Sequence, residues 1–153
     1  MNKACLICGT PALELPFGYD EEDELCIMLK LKMAEVIAQL VKCGVTDFIC
    51  DCEYGIPMWG AEIVLAQKLF TPNISLEIYM PHEEQAIKWV PNWRDRYFSI
   101  HEKADEVVTY NSCAKCFDDM CDKADMLIYV GNDEAEVVRR FRKEKKPIQQ
   151  IKY

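Results

Sequence analysis

Nine cysteines, two histidines and an excess of carboxylates are the residues of this 153-residue chain with chemistry to offer. Cys5-x-x-Cys8, Cys50-x-Cys52 and Cys113-x-x-Cys116, followed by Cys121, have the spacing of paired soft ligands and would suit zinc or an iron–sulfur cluster if the pairs met. Against that, residues three apart on a strand face opposite sides, and Cys26, Cys43 and Cys121 fall on helical segments, where a free thiol packs as a small apolar group. The expectation is thiols without a metal and no cofactor. The odd cysteine count and the lack of an export signal in Met1 to Thr10 argue against a disulfide framework and for a cytoplasmic protein.

His82 follows Pro81 at the end of an expected strand and could carry a proton there; the bland alternative is a loop histidine. Neither it nor His101 has a partner that sequence can place. Six of the eight residues Arg139 to Lys146 are basic, but they close an expected helix, where cations complement the negative end of the dipole. With 18 basic against 26 acidic residues, the net charge of −8 speaks against a nucleic-acid partner. No apolar run approaches the roughly 20 residues a membrane span needs, so no membrane is expected either.

The elements that must position these residues alternate. Short β-rich runs at Ala4–Cys8, Asp47–Cys50, Ile74–Met80, Glu106–Tyr110 and Met126–Val130, with Ile148–Ile151 as an edge strand, are separated by amphipathic segments. That pattern predicts an α/β protein, a Rossmann-like three-layer sandwich over one domain, 1–153, with a mostly parallel sheet of five or six strands. The first helix shows Leu25, Leu29, Met33, Val36 and Leu40 as one stripe, with Asp20 as N-cap and Gly44 past its end. Others are predicted from Pro57 to Phe70, Trp93 to Lys103, Cys113 to Lys123 and Glu134 to Lys145. A ligand in such a sheet sits beyond the carboxyl ends of the strands. This selects the loops Gly9–Phe17, Asp51–Pro57, Pro81–Gln85 and Gly131–Glu134.

Leu15-Pro16-Phe17-Gly18-Tyr19-Asp20-Glu21 resembles the YpsA-like family within the SLOG group of Rossmann-like proteins. Met58-Trp59-Gly60-Ala61-Glu62 is similar to that family's Met-Trp-Ala-Ala-Glu helix start. Pro81 with Gln85 resembles its Pro-x-x-x-Gln segment, and Ala104–Val108 and Ala124–Ile128 resemble its last strands. The resemblance covers nearly the whole chain. It implies a nucleotide-derived small-molecule ligand, with Gly9, Thr10, Gly55, Trp59, Glu62, Gly131 and Asn132 as the binding positions.

The departures fall on the same loops. Gly9-Thr10-Pro11-Ala12 stands where the family has Gly-His-Arg-Pro, so a cation that would pair with phosphate is gone. Cys50–Pro57 keeps one glycine and adds two carboxylates, and Gly131-Asn132-Asp133-Glu134 is again acidic. Acids at helix starts either stabilise the helices or mark a site for a cationic ligand. The expectation is a cytoplasmic ligand-binding or sensor domain with a degenerate phosphate site. Alternatives are a nucleotide-processing hydrolase or transferase using Glu53, Asp133 or Glu134, and a cysteine-rich metal or redox sensor. Self-association into a homo-oligomer is compatible with all of these.

Overall fold

The computed structural model describes residues 2–153. Six strands, β1 (Ala4–Gly9), β2 (Asp47–Cys50), β3 (Ser75–Met80), β4 (Glu106–Thr109), β5 (Met126–Val130) and β6 (Ile148–Ile151), form one sheet in the order β4-β3-β2-β1-β5-β6. Every pairing is parallel, so the mostly parallel expectation becomes all parallel. Five helices connect them: α1 (Glu24–Lys42), α2 (Ile56–Lys68), α3 (Pro91–Lys103), α4 (Cys113–Lys123) and α5 (Glu136–Lys143).

Alternate residues of the strands feed two cores. Cys5, Ile7, Phe48, Leu76 and Ile128 pack with α1, α2 and α3, whereas Ala4, Leu6, Ile49, Leu127 and Tyr129 pack with α4 and α5. A sheet covered on both faces must be apolar on both, as the strand sequences are. Cys5 and Cys8 accordingly lie on opposite faces. None of the helices described is long and apolar enough to cross a membrane.

Two readings of α1 need correction. The helix begins at Glu24, and its cap is Asp23, whose carboxylate accepts from the Leu25 amide at 2.8 Å; Asp20 instead accepts from the Glu22 amide in a preceding turn. Successive turns from Leu15, reversed at Gly18 (φ 57°), hold residues 15–23 outside the helix. The buried stripe is Cys26, Leu29, Met33, Ile37 and Leu40, with Leu25 and Val36 only half-buried at its margin. At the other end Gly44 has φ 98°, and the Val45 amide bonds back to Leu40, a left-handed helix stop. Helix α2 stops at Lys68 rather than Phe70, and α5 is shorter than predicted at both ends.

Candidate functional site

The strand order turns around between β1 and β5, because β1 to β4 run outward one way and β5 and β6 the other. The carboxyl ends of these two strands border a crevice of about 340 Å³ on the α4–α5 side, reaching Cys8, Gly9 and Pro11 on one flank and Tyr129, Asp133 and Ala135 on the other. This is where an open α/β sheet takes its ligand.

Gly9 lines this crevice, and Thr10 and Gly131 approach each other at the adjoining strand ends. The Thr10 amide donates to the Val130 carbonyl at 2.8 Å and the Gly131 amide to the Ile151 carbonyl at 2.9 Å, so both strand-end donors are spent on the backbone. The Gly131–Asp133 turn is fastened from β6: Gln150 donates to the Gly131 carbonyl at 2.9 Å, and Asn132 exchanges two hydrogen bonds with the Tyr153 backbone, each 2.8 Å. Asn132 is thus turned to the chain's last residue. Gly55 lies one layer behind, bridged to Pro11, and its φ of 114° admits only glycine without strain.

The crevice is acidic. Glu14, Asp51, Asp133 and Glu136 line it, and no Lys, Arg or His does among the described residues. Tyr129 donates to Asp133 at 2.8 Å. Burial pushes the Asp51 carboxyl up to about 6 from 3.8, opposed by a hydrogen bond from the Glu53 amide and assisted by the Glu53 charge. A group that binds its proton more tightly when folded stabilises below its unfolded pKa, and that stability is lost as pH rises through about 6. Asp51→Asn is therefore expected to raise stability at pH 8 by about 1–3 kcal/mol and to leave it unchanged near pH 4. Urea unfolding of both proteins at the two pH values measures the difference; a gain equal at both would assign the effect to something other than ionisation.

Trp59 and Glu62 sit on the opposite face of the sheet, in an ionic and aromatic knot. Arg96 on α3 makes a two-pronged contact with Glu21 (2.7 and 2.9 Å) and another with Glu62 (3.1 and 2.7 Å). Glu21 also accepts from Lys30 and the Tyr54 hydroxyl, both at 2.5 Å. Burial pushes the Glu21 carboxyl upward, but the bonds from Arg96, Lys30 and Tyr54 outweigh it and hold it at about 2. Trp59 is buried beneath Phe17 and Tyr54, with the Lys30 ammonium 4.9 Å from its ring and its Nε1 without a partner among the described residues. Trp93 stacks on Tyr54 at 3.7 Å. The Leu15–Glu21 and Met58–Glu62 segments thus converge on each other, and Arg96, which no motif marks in the sequence, joins them.

Buried Gln85 explains the Pro81-x-x-x-Gln85 segment structurally. It donates to the Asp51 carbonyl (3.0 Å) and to the Glu53 carboxylate (3.2 Å) and accepts from the Tyr97 hydroxyl (2.9 Å), pinning the β2–α2 loop that carries Asp51. His82 is exposed beside a separate hollow with Glu83 and Tyr110. His101 lies against Tyr97, and burial lowers its pKa, partly offset by its contact with the Tyr97 carbonyl. Glu134 pairs with Arg142, Arg140 with Asp118 and Asp122, and Lys146 donates to the Cys121 carbonyl.

The cysteines are free thiols. Burial raises Cys5 and Cys116 to about 12 and Cys121 to about 11, and raises Cys8 and Cys52 strongly, which suppresses the thiolate that metals and electrophiles need. Among the described residues no group of three or more His, Cys, Asp or Glu is disposed to hold a metal ion.

A parallel six-stranded sheet with helices on both faces and a crevice at its switch point defines a Rossmann-like α/β protein. Residues 5–145 match the family described as YspA SLOG family, and the chain belongs to this YpsA family of SLOG proteins. Similar relatives include UPF0398 protein BH1768 of Halalkalibacterium halodurans, 33% identical over 79 residues, which are 52% of this chain and 42% of that protein. UPF0398 protein SSP1297 of Staphylococcus saprophyticus is 28% identical over 107 residues, 70% of this chain and 56% of the relative. UPF0398 protein SERP1017 of Staphylococcus epidermidis is 26% identical over 151 residues, 94% and 80% of the two chains. The chain thus spans about half the length of the first two of these.

Proposed function

We propose that this chain is a cytoplasmic ligand-binding or sensor domain whose β1–β5 crevice takes a nucleotide-derived small molecule by its nucleoside part, without a phosphate clamp. The observation that carries the reading is the lining of the crevice: four carboxylates, no cation among the described residues, and both strand-end amides already hydrogen-bonded. Carboxylates accept from ribose hydroxyls and exocyclic amines but repel phosphate. A volume of about 340 Å³ lies at the small end of ligand sites and suits one nucleoside better than a dinucleotide. Glycines 9, 55 and 131 and Thr10 shape the crevice in this reading; Trp59 and Glu62 brace α2, and Asn132 braces the turn after β5.

Isothermal titration with a nucleoside series and the matching mono- and diphosphates tests this. Affinity is expected to fall with each added phosphate, and Ala135→Trp, which fills the crevice, is expected to abolish binding. Tighter binding of the phosphorylated forms, or binding to none of the series, would overturn the reading. Asp51 favours one variation, general acid or base catalysis on the same ligand, because its pKa of about 6 is near the working range of such a group. Turnover lost in Asp51→Asn would distinguish that variation from binding alone.

A further inference from the structure

We propose that α1 is a self-association surface through which two copies of this chain pair with their α1 helices antiparallel. The helix has two apolar stripes. Cys26, Leu29, Met33, Ile37 and Leu40 face the core, while Ile27, Met28 and Leu31 remain 46%, 65% and 62% exposed. The outward stripe, Glu24, Met28, Leu31, Glu35, Ala38 and Lys42, recurs at intervals of four, three, four, three and four. That is the spacing of a helix-pairing seam.

This spacing reads the same in both directions. Two antiparallel copies related by a twofold axis at residue 33 set Glu24 of each against Lys42 of the other, Met28 against Ala38, and Leu31 against Glu35, with Ile27 flanking. At 1.5 Å per residue the two ionic contacts lie about 27 Å apart and close the seam at both ends. Neither Glu24 nor Lys42 has an ionic partner within about 4 Å among the described residues. Charge also selects the occupant. The whole chain carries −8, so copies repel over most of their surface. On this face Glu24 and Glu35 are balanced by Lys32 and Lys42, and antiparallel helices oppose their dipoles favourably. Beside the stripe runs a groove of about 630 Å³, lined by Leu25 to Glu35 of α1 and closed on the far side by Ile151 and Tyr153, whose Glu35 end takes the second copy's Leu31. One helix pair buries less than a standard interface, so the dissociation constant is expected on the order of 10 µM.

Sedimentation equilibrium of the full chain across a concentration series measures this. A reversible dimer is expected, and Leu31→Glu should make it monomeric with an unchanged circular dichroism spectrum and melting temperature, since that side chain is mostly exposed in the folded protein. Glu24→Lys and Lys42→Glu should each weaken the dimer about fivefold, and the two together should restore it. A chain monomeric at every concentration, a dimer indifferent to Leu31→Glu, or a double reversal weaker than either single variant would each overturn the proposal.

Discussion

Replacing Arg96 by methionine is expected to destabilise the protein by about 2–4 kcal/mol and to lower its melting temperature by about 5–12 °C. The guanidinium satisfies two carboxylates at once, reaching Glu21 across 75 residues of sequence and Glu62 across 34. Its removal leaves Glu21, a side chain only 21% exposed, with Lys30 and Tyr54 alone. The partial exposure of all three charged groups keeps the figure below that of a fully buried pair. The effect has a pH signature. Because Glu21 is held at about 2 against an ordinary 4.5, its stabilising contribution is complete above pH 4.5 and is lost as pH falls through about 2. The gap between wild type and Arg96→Met should therefore narrow on acidification, as denaturant melts at pH 7 and pH 3.5 would record. A cost below about 1 kcal/mol at pH 7 would mean the knot is an exposed surface network.

Gly9→Ala should cost about 3 kcal/mol or more, for a steric rather than an electrostatic reason. A β-carbon at Gly9 would stand 2.5 Å from the Val130 carbonyl oxygen and 3.0 Å from two carbons of Ile56. The carbonyl already accepts from the Thr10 amide and cannot retreat without opening the β1–β5 pairing. Gly18→Ala provides the contrast. Its β-carbon meets nothing within 4 Å, so only the left-handed backbone (φ 57°) penalises it, by about 1 kcal/mol. Chemical denaturation of both variants compares the two mechanisms; equal small losses would show that the strand ends move apart easily. The resemblance marks Gly9 as a ligand position, but close approach of two strands is enough to require glycine there.

The α/β class, the six strands and the start and end of α4 were legible along the chain because each depends on neighbours within a few residues. Apolar runs short enough for strands and Gly44 after α1 act through local backbone geometry and caps, whereas α3 starts at Pro91, two residues before the Trp93 expected for it. The misplaced start of α1 shows the limit of such signals. Asp20 and Asp23 are equally good caps by type, and the choice falls to Asp23 because the Leu15–Glu21 turns carry Glu21 to Arg96 and Tyr54.

Of the candidate site, the place of the loops after β1, β2 and β5 was legible along the chain, since it follows from the strand order that parallel crossovers impose. Their division was decided only in three dimensions. Gly9 lines the crevice with Thr10 and Gly131 at the adjoining strand ends, while Trp59 and Glu62 go to the opposite face, because α2 packs on the α1–α3 layer. Arg96 and Asp51 gain their chemistry from partners and burial that no spacing encodes: one guanidinium reaches two distant carboxylates, and one carboxyl is desolvated at the edge of a crevice. Composition determined the acidity of the chain by itself. That four acids should gather at the end of β1 and β5, with no cation beside them among the described residues, was settled by tertiary packing, which fixes how far apart charges lie and how much water remains between them.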